Sequence, residues 1–226
     1  MIEAKIAALI EAPSGLELVR DQIAAILLAE TVGQIDQAKS KGLHPREWEL
    51  EVFVERSNPW EKYQDDEGRF SENARPLVNI WVDSAVSSES NSTFGQQKWT
   101  VTYHLDVFGF GVTREVANGG HISGDRDAAF EAHRVVRNVR SIVSAGPWRL
   151  LGLSGIVTKS RFTELQFFQP KAGEHVLQHV SAARAKLEVD LIEPNPMSAL
   201  EIFEGLNLTI RRETTSGQVL LRANYP

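Results

Sequence analysis

The thirteen residues from Lys98 to Phe110, KWTVTYHLDVFGF, alternate polar and apolar side chains without a break as far as Val107. A strand turns successive side chains to opposite faces, so this stretch requires an apolar layer on one side and polar surroundings on the other. Trp99, Val101, Tyr103, Leu105 and Val107 take the first face; Thr100, Thr102, His104 and Asp106 take the second. A second run, ARAKLEVDLIE at 183–193, alternates as strictly. Its Ala183, Ala185, Leu187, Val189 and Leu191 point inward, and Arg184, Lys186, Glu188 and Asp190 outward. Strands that alternate in this way belong to a sheet with one buried face.

The layer that covers such a sheet is legible in DRDAAFEAHRVVRNVRSIV, which predicts a helix over about 125–145. At 100° per residue, Ala128, Ala132, Val135, Val139, Ile142 and Val143 gather on one side. Arg126, His133, Arg134, Arg137 and Arg140 gather on the other, with Phe130 among them. Gly146-Pro147 stops the helix. Near the start, Ser14-Gly15-Leu16-Glu17 reads as a capping box, and Leu16, Val19, Ile23, Ile26 and Leu27 give the helix that follows one apolar face through about Glu30. A shorter helix over residues 2–10 is expected before Pro13.

Further strands are predicted at 50–55, 76–84 and 156–168, and a hairpin at 206–222 turning at Thr214–Gly217. A short helix is expected around 197–204. The stretches 31–48, 61–76 and 87–97 are polar and read as connections; the second carries Asp65, Asp66 and Glu67. A loop of that length in a compact domain is usually functional, or disordered until it meets a partner. The expected class is α+β: a mostly antiparallel sheet with one long amphipathic helix packed on it and an N-terminal helical segment. The 226 residues are read as one domain, with a helical N-terminal segment at 1–48 and a C-terminal hairpin extension at 206–222.

Composition removes several function classes. A formal charge of −6 leaves no global cation excess for a dedicated nucleic-acid binder, though a local basic stripe remains compatible. Without cysteine there is no thiolate nucleophile, disulfide framework or Cys-ligated zinc. The opening MIEAKIAALIEAPSGLE has no basic region before its apolar residues, so no secretory signal is expected, and no window reaches the length of a membrane span. The expectation is a soluble protein made in a cytoplasm.

His104 and Asp106 share a strand face and could offer two metal ligands, with His121 or Asp125 as a third, but that spacing is as well explained by a polar strand face whose groups pair across the sheet. His175 and His179 are four apart with no Glu beside them as in a metalloprotease helix. No Gly-x-Ser-x-Gly elbow occurs, and Gly109 and Gly111 do not open a phosphate-binding helix. The expectation is no catalytic residue, no metal and no cofactor, with the histidines on the surface. Arg126, Arg134, Arg137 and Arg140 are instead candidates for a subunit interface or for the wall of a channel. The acidic loop at Asp65, Asp66 and Glu67 is a candidate docking segment.

In the order of its segments the chain resembles the tail terminator (tail completion) proteins of tailed bacteriophages and related prophages. The resemblance spans about residues 14–196: the capped helix, VFVERSNPWE, WTVTYHLDVFGFG, the arginine-striped helix, GIVTKSRFTELQFFQP and AARAKLEVDLIEPNP. Its most specific part is FQP at 168–170 leading into a strand with Ala182, Arg184, Glu188 and Val189. The resemblance implies a non-enzymatic virion protein assembled in the host cytoplasm. Such subunits close into a ring, commonly a homohexamer, which caps the tail tube at its final length and joins it to the head-side connector in the neck. The implied partners are copies of itself, the tail tube protein and head–tail connector proteins, with DNA passing through the lumen without specific binding and no membrane contact. The rivals are a head–tail connector or neck subunit, a small metal-dependent hydrolase using His104, Asp106 and His121, and a binding module of another kind.

Overall fold

A computed structural model describes residues 13–64, 74–87, 96–116, 120–170, 179–194, 208–211 and 219–223. The strands are β1 (Glu51–Val54), β2 (Leu77–Ser87), β3 (Gln96–Gly111), β4 (Arg114–Val116), β5 (Gly120–Ile122), β6 (Val157–Phe168), β7 (His179–Pro194), β8 (Leu208–Arg211) and β9 (Val219–Ala223). Two long helices accompany them, α1 (Gly15–Ser40) and α2 (Gly124–Val143). The main sheet has the order β1-β2-β3-β7-β6, with β1 parallel to β2 and every other pair antiparallel. β4 pairs with β5 and β8 with β9 as separate ribbons, the latter overlapping the hairpin expected at 206–222, whose turn at Thr214–Gly217 lies outside the described residues.

The mixed α/β character and the mostly antiparallel sheet agree with expectation; the single long helix does not. α1 is 26 residues long and continues past Glu30 to Ser40, through a stretch read as a polar connection. Gln34, Gln37, Ala38 and Lys39 are good helix formers, and Thr31 and Ala38 continue the buried side, which together outweigh Gly33, the residue that most opposes propagation. The helix begins where the capping box required. Ser14 Oγ accepts the Glu17 N–H at 3.3 Å, and the Glu17 carboxylate accepts the Ser14 N–H at 2.8 Å. That bond, the largest influence on it, holds the Glu17 carboxyl below its ordinary range. The expected helices at 2–10 and 197–204 lie outside the described residues.

Both helices lie on one face of the sheet. α2 covers β3 and β7, while α1 lies beside it over β1 and β2. The inward rows of β3 and β7 meet Val19, Ile23, Ile26 and Leu27 of α1 and Val135, Val136, Val139 and Val143 of α2. Each such side chain, fully buried, contributes about 1.5–3 kcal/mol. Polar ties fix the entry of α1: Tyr103 Oη donates to the Leu16 carbonyl at 2.9 Å, and the Gly15 N–H donates to Glu193 Oε1 at 2.6 Å. Gly109 and Gly111 let α2 approach closely. A Cβ on Gly109 would sit 2.5 Å from the Ala132 nitrogen, and one on Gly111 would collide with the backbone at Gly124 and Ala128. The glycine pair therefore serves helix–strand packing.

β6 is the far edge strand. Register breaks at Val157/Lys159 and Phe162/Glu164, together with Lys159, Arg161 and Glu164, blunt it as a template for strand addition.

Candidate interaction surfaces

The face of the sheet turned away from the helices is built in cross-strand rows, because antiparallel register places directly opposed residues on one side. Leu77, Phe108, Ala182 and Phe168 form an apolar row, capped by Trp60 against Phe108 at 5.0 Å between ring centroids. The next row is Asn79, Asp106, Arg184 and Gln166, followed by Trp81, His104, Lys186 and Glu164. Charges pair along these rows and the one beyond: Lys186 with Glu164 at 2.7 Å and Arg161 with Glu188 at 2.8 Å.

Asp106 is the centre of this face. Arg184 grips both its oxygens, Nε to Oδ1 at 2.7 Å and Nη2 to Oδ2 at 2.8 Å, and Trp81 Nε1 donates to Oδ2 at 3.0 Å. The guanidinium lies 5.1 Å over the Trp81 ring and 5.7 Å from that of Phe168. Asp106, the strongest influence on it, raises the Arg184 pKa further. A hollow of about 600 Å³ opens between this pair, Arg56, Trp60 and Asn79. Asn79 is itself engaged, accepting the Arg56 N–H and donating to the Arg56 carbonyl.

His104 was expected on the surface and is buried instead, only 4% exposed. Among the described residues neither ring nitrogen has a hydrogen-bond partner, and Nε2 lies 3.7 Å from Asp83. The Trp81 ring packs edge-on against it with centroids 4.5 Å apart. Burial, then the neighbouring Arg184 cation, depresses its pKa below the usual imidazole value of 6.5. Alternation placed His104 on the correct face; the width of Trp81 and the paired charges beside it close that face to water.

The three residues of the metal reading have separate surroundings. Asp106 is committed to Arg184 and Trp81, His104 is buried beside Trp81, and His121 is exposed on β5 opposite Glu115. Asp125 pairs with His179. Among the described residues no group of three or more His, Asp or Glu side chains is placed to hold a metal ion.

The arginine stripe divides. Arg126, Arg137 and Arg140 are exposed, and no carboxylate pairs with them among the described residues; Arg126 lies 5.2 Å over Phe130 and Arg140 5.8 Å over Phe162. Arg134 departs from expectation. It turns toward the half-buried Glu131, Nη2 to Oε1 at 3.4 Å, with Nη1 enclosed. Glu131 also accepts the Phe110 N–H at 2.8 Å, which ties α2 to the end of β3. Burial, its dominant influence, raises the Glu131 pKa.

Between α2 and β6 lies a second hollow of about 410 Å³, walled by Phe130, His133, Arg137, Arg140, Leu165 and Phe167. His133 stacks on Phe167 at 4.1 Å with 11° between the ring planes. The sequence offered the α2 half of this groove through its helical period. It gave no sign of the β6 half, because which strand flanks α2 depends on the strand order. Asp65, Asp66 and Glu67 lie outside the described residues. No helix among the described residues is long and apolar enough to cross a membrane. No protein-family model matches the chain, and no curated protein matches it as a relative.

Proposed function

We propose that the chain is a structural subunit, not an enzyme, which assembles with copies of itself into a ring that closes a phage tail tube at its final length and joins the tail to the head-side connector. The resemblance in segment order supports the family. One observation carries the assembly: outside the fold's core, the α2–β6 groove gathers Phe130 and Phe167 with Arg137 and Arg140, two arginines that no carboxylate pairs with among the described residues. Aromatic and arginine side chains together are the composition of a protein interface core. The hollow on the opposite face of the sheet, by contrast, is walled by the mutually satisfied Asp106–Arg184 pair, which suits a structural face better than an acid–base site. The ring would sit in the neck of the virion, with DNA passing through its lumen.

The test is to mix the purified protein with polymerised tail tube protein and image the tubes by electron microscopy. Caps at one end and arrested growth are expected. Tubes that stay uncapped and keep elongating overturn the terminator assignment. Binding to an isolated connector with no effect on tubes would move the protein to the neck.

A further inference from the structure

Apart from Phe130, α2 keeps its apolar residues to one side, as a helix lying on a core should, but α1 does not. Its buried side carries Val19, Ile23, Ile26 and Leu27, while its outward side carries Ala25, Leu28, Ala29 and Val32, all exposed. Leu28 is 51% and Val32 60% exposed. A helix apolar on both sides is one that is covered on both sides, and the sheet covers only one. Acids bound the outward stripe: Asp21 before it and Asp36 after it, each paired among the described residues with a near neighbour along the helix, Arg20 and Lys39. Such exposed pairs contribute little and yield readily to a better partner.

The outward row of α2 is the complement of this stripe. Arg126, Phe130, His133, Arg137 and Arg140 step along the helix by four, three, four and three residues. Asp21, Ala25, Leu28 and Val32 step by four, three and four, the seven-residue repeat by which two helices lie side by side. The lengths agree as well. At about 1.5 Å per residue, Asp21 and Asp36 are about 22 Å apart along α1, and Arg126 and Arg140 about 21 Å apart along α2. Both rows are exposed in the same chain, so neither covers the other.

We infer that the outward stripe of α1 in one copy seats against α2 and the α2–β6 groove of a second copy. Asp21 and Asp36 meet the arginines at the two ends, and Leu28 and Val32 cover Phe130 and Phe167. The contact joins two different surfaces, so each copy has one of each left to offer, and the assembly closes as a ring or grows as a filament. This deepens the proposed self-assembly and rests on it for ring closure alone.

A charge exchange tests the contact. One variant carries Asp21→Arg and Asp36→Arg; the other carries Arg126→Glu and Arg140→Glu. Every site is exposed, and each variant should keep the wild-type melting curve at low concentration. Each variant alone sets like charges against one another and should associate at least about tenfold more weakly than wild type. The mixture restores both contacts in alternation and should recover the wild-type mass by sedimentation. A third variant, Leu28→Asp, should lose association with no partner to rescue it. Variants that assemble as wild type does, a mixture that fails to recover, or a wild type that stays monomeric at every concentration would each overturn the contact. If the contact stands and the ring does not, the outcome differs: the mixture recovers, but wild-type mass rises without limit as open filaments grow.

Discussion

Replacing Arg184 with Met removes the guanidinium that holds both oxygens of Asp106, and the cost follows from how that carboxylate is enclosed. The Asp106 side chain is 9% exposed and that of Arg184 28%, so the anion has little water to turn to. Breaking a buried pair from one side costs about 3–5 kcal/mol, and partial water access near Arg184 puts the expectation at the low end, about 3 kcal/mol. For a chain of this length, about 2–4 °C per kcal/mol converts that to a fall in Tm of roughly 6–12 °C. Pairing the change with Asp106→Asn takes away the stranded charge and leaves an amide oxygen for the Trp81 indole N–H. The double variant should therefore recover more than half of the loss. Urea unfolding followed by tryptophan fluorescence measures both, with a shifted midpoint and an unchanged slope. An Arg184→Met loss below about 1 kcal/mol, or a double variant no more stable than the single, would refute the assignment of this pair as the centre of the open face.

Three other outcomes can be checked in the same assay. Gly109→Ala forces a methyl group against the α2 backbone and should cost about 1–3 kcal/mol, whereas an unchanged midpoint would mean that α2 stands off from β3. His104 titrates below its ordinary value when folded, so as pH falls below about 6.5 the unfolded chain takes up its proton first and stability is lost; His104→Phe should flatten that acid limb, and an identical pH slope would contradict the burial argument. Ser14→Ala deletes the cap of α1 and should cost about 1 kcal/mol, recorded as a lower midpoint; no change would mean that Tyr103 and Glu193 alone set the helix start.

Local rules carried the sequence far where one element's own chemistry decides the outcome. The alternation of 98–107 and 183–191 gave the faces of β3 and β7, and the Ser14–Glu17 box gave the start of α1. The end of α1 was misread because residues 31–40 are polar in composition while their buried positions, Thr31 and Ala38, are small and weakly apolar. His104 was misread because alternation assigns a face and says nothing of what covers it; Trp81, more than twenty residues earlier, does so by strand register. Arg134 was grouped with the exposed arginines because helical angle alone does not show that Glu131 turns it inward. Of the α2–β6 groove, only the helix half was legible. Its aromatic floor, Leu165 and Phe167, arrives through β6 lying beside β7, a long-range pairing that no local pattern encodes.

Self-assembly is the claim on which the function rests, and the mass of the purified protein in solution tests it most directly. Light scattering over a range of concentration and salt should find a species of about six times 25.2 kDa, weakening as salt screens the arginine row. A strict 25.2 kDa monomer at every concentration, unchanged by the addition of tail tube protein, would contradict it.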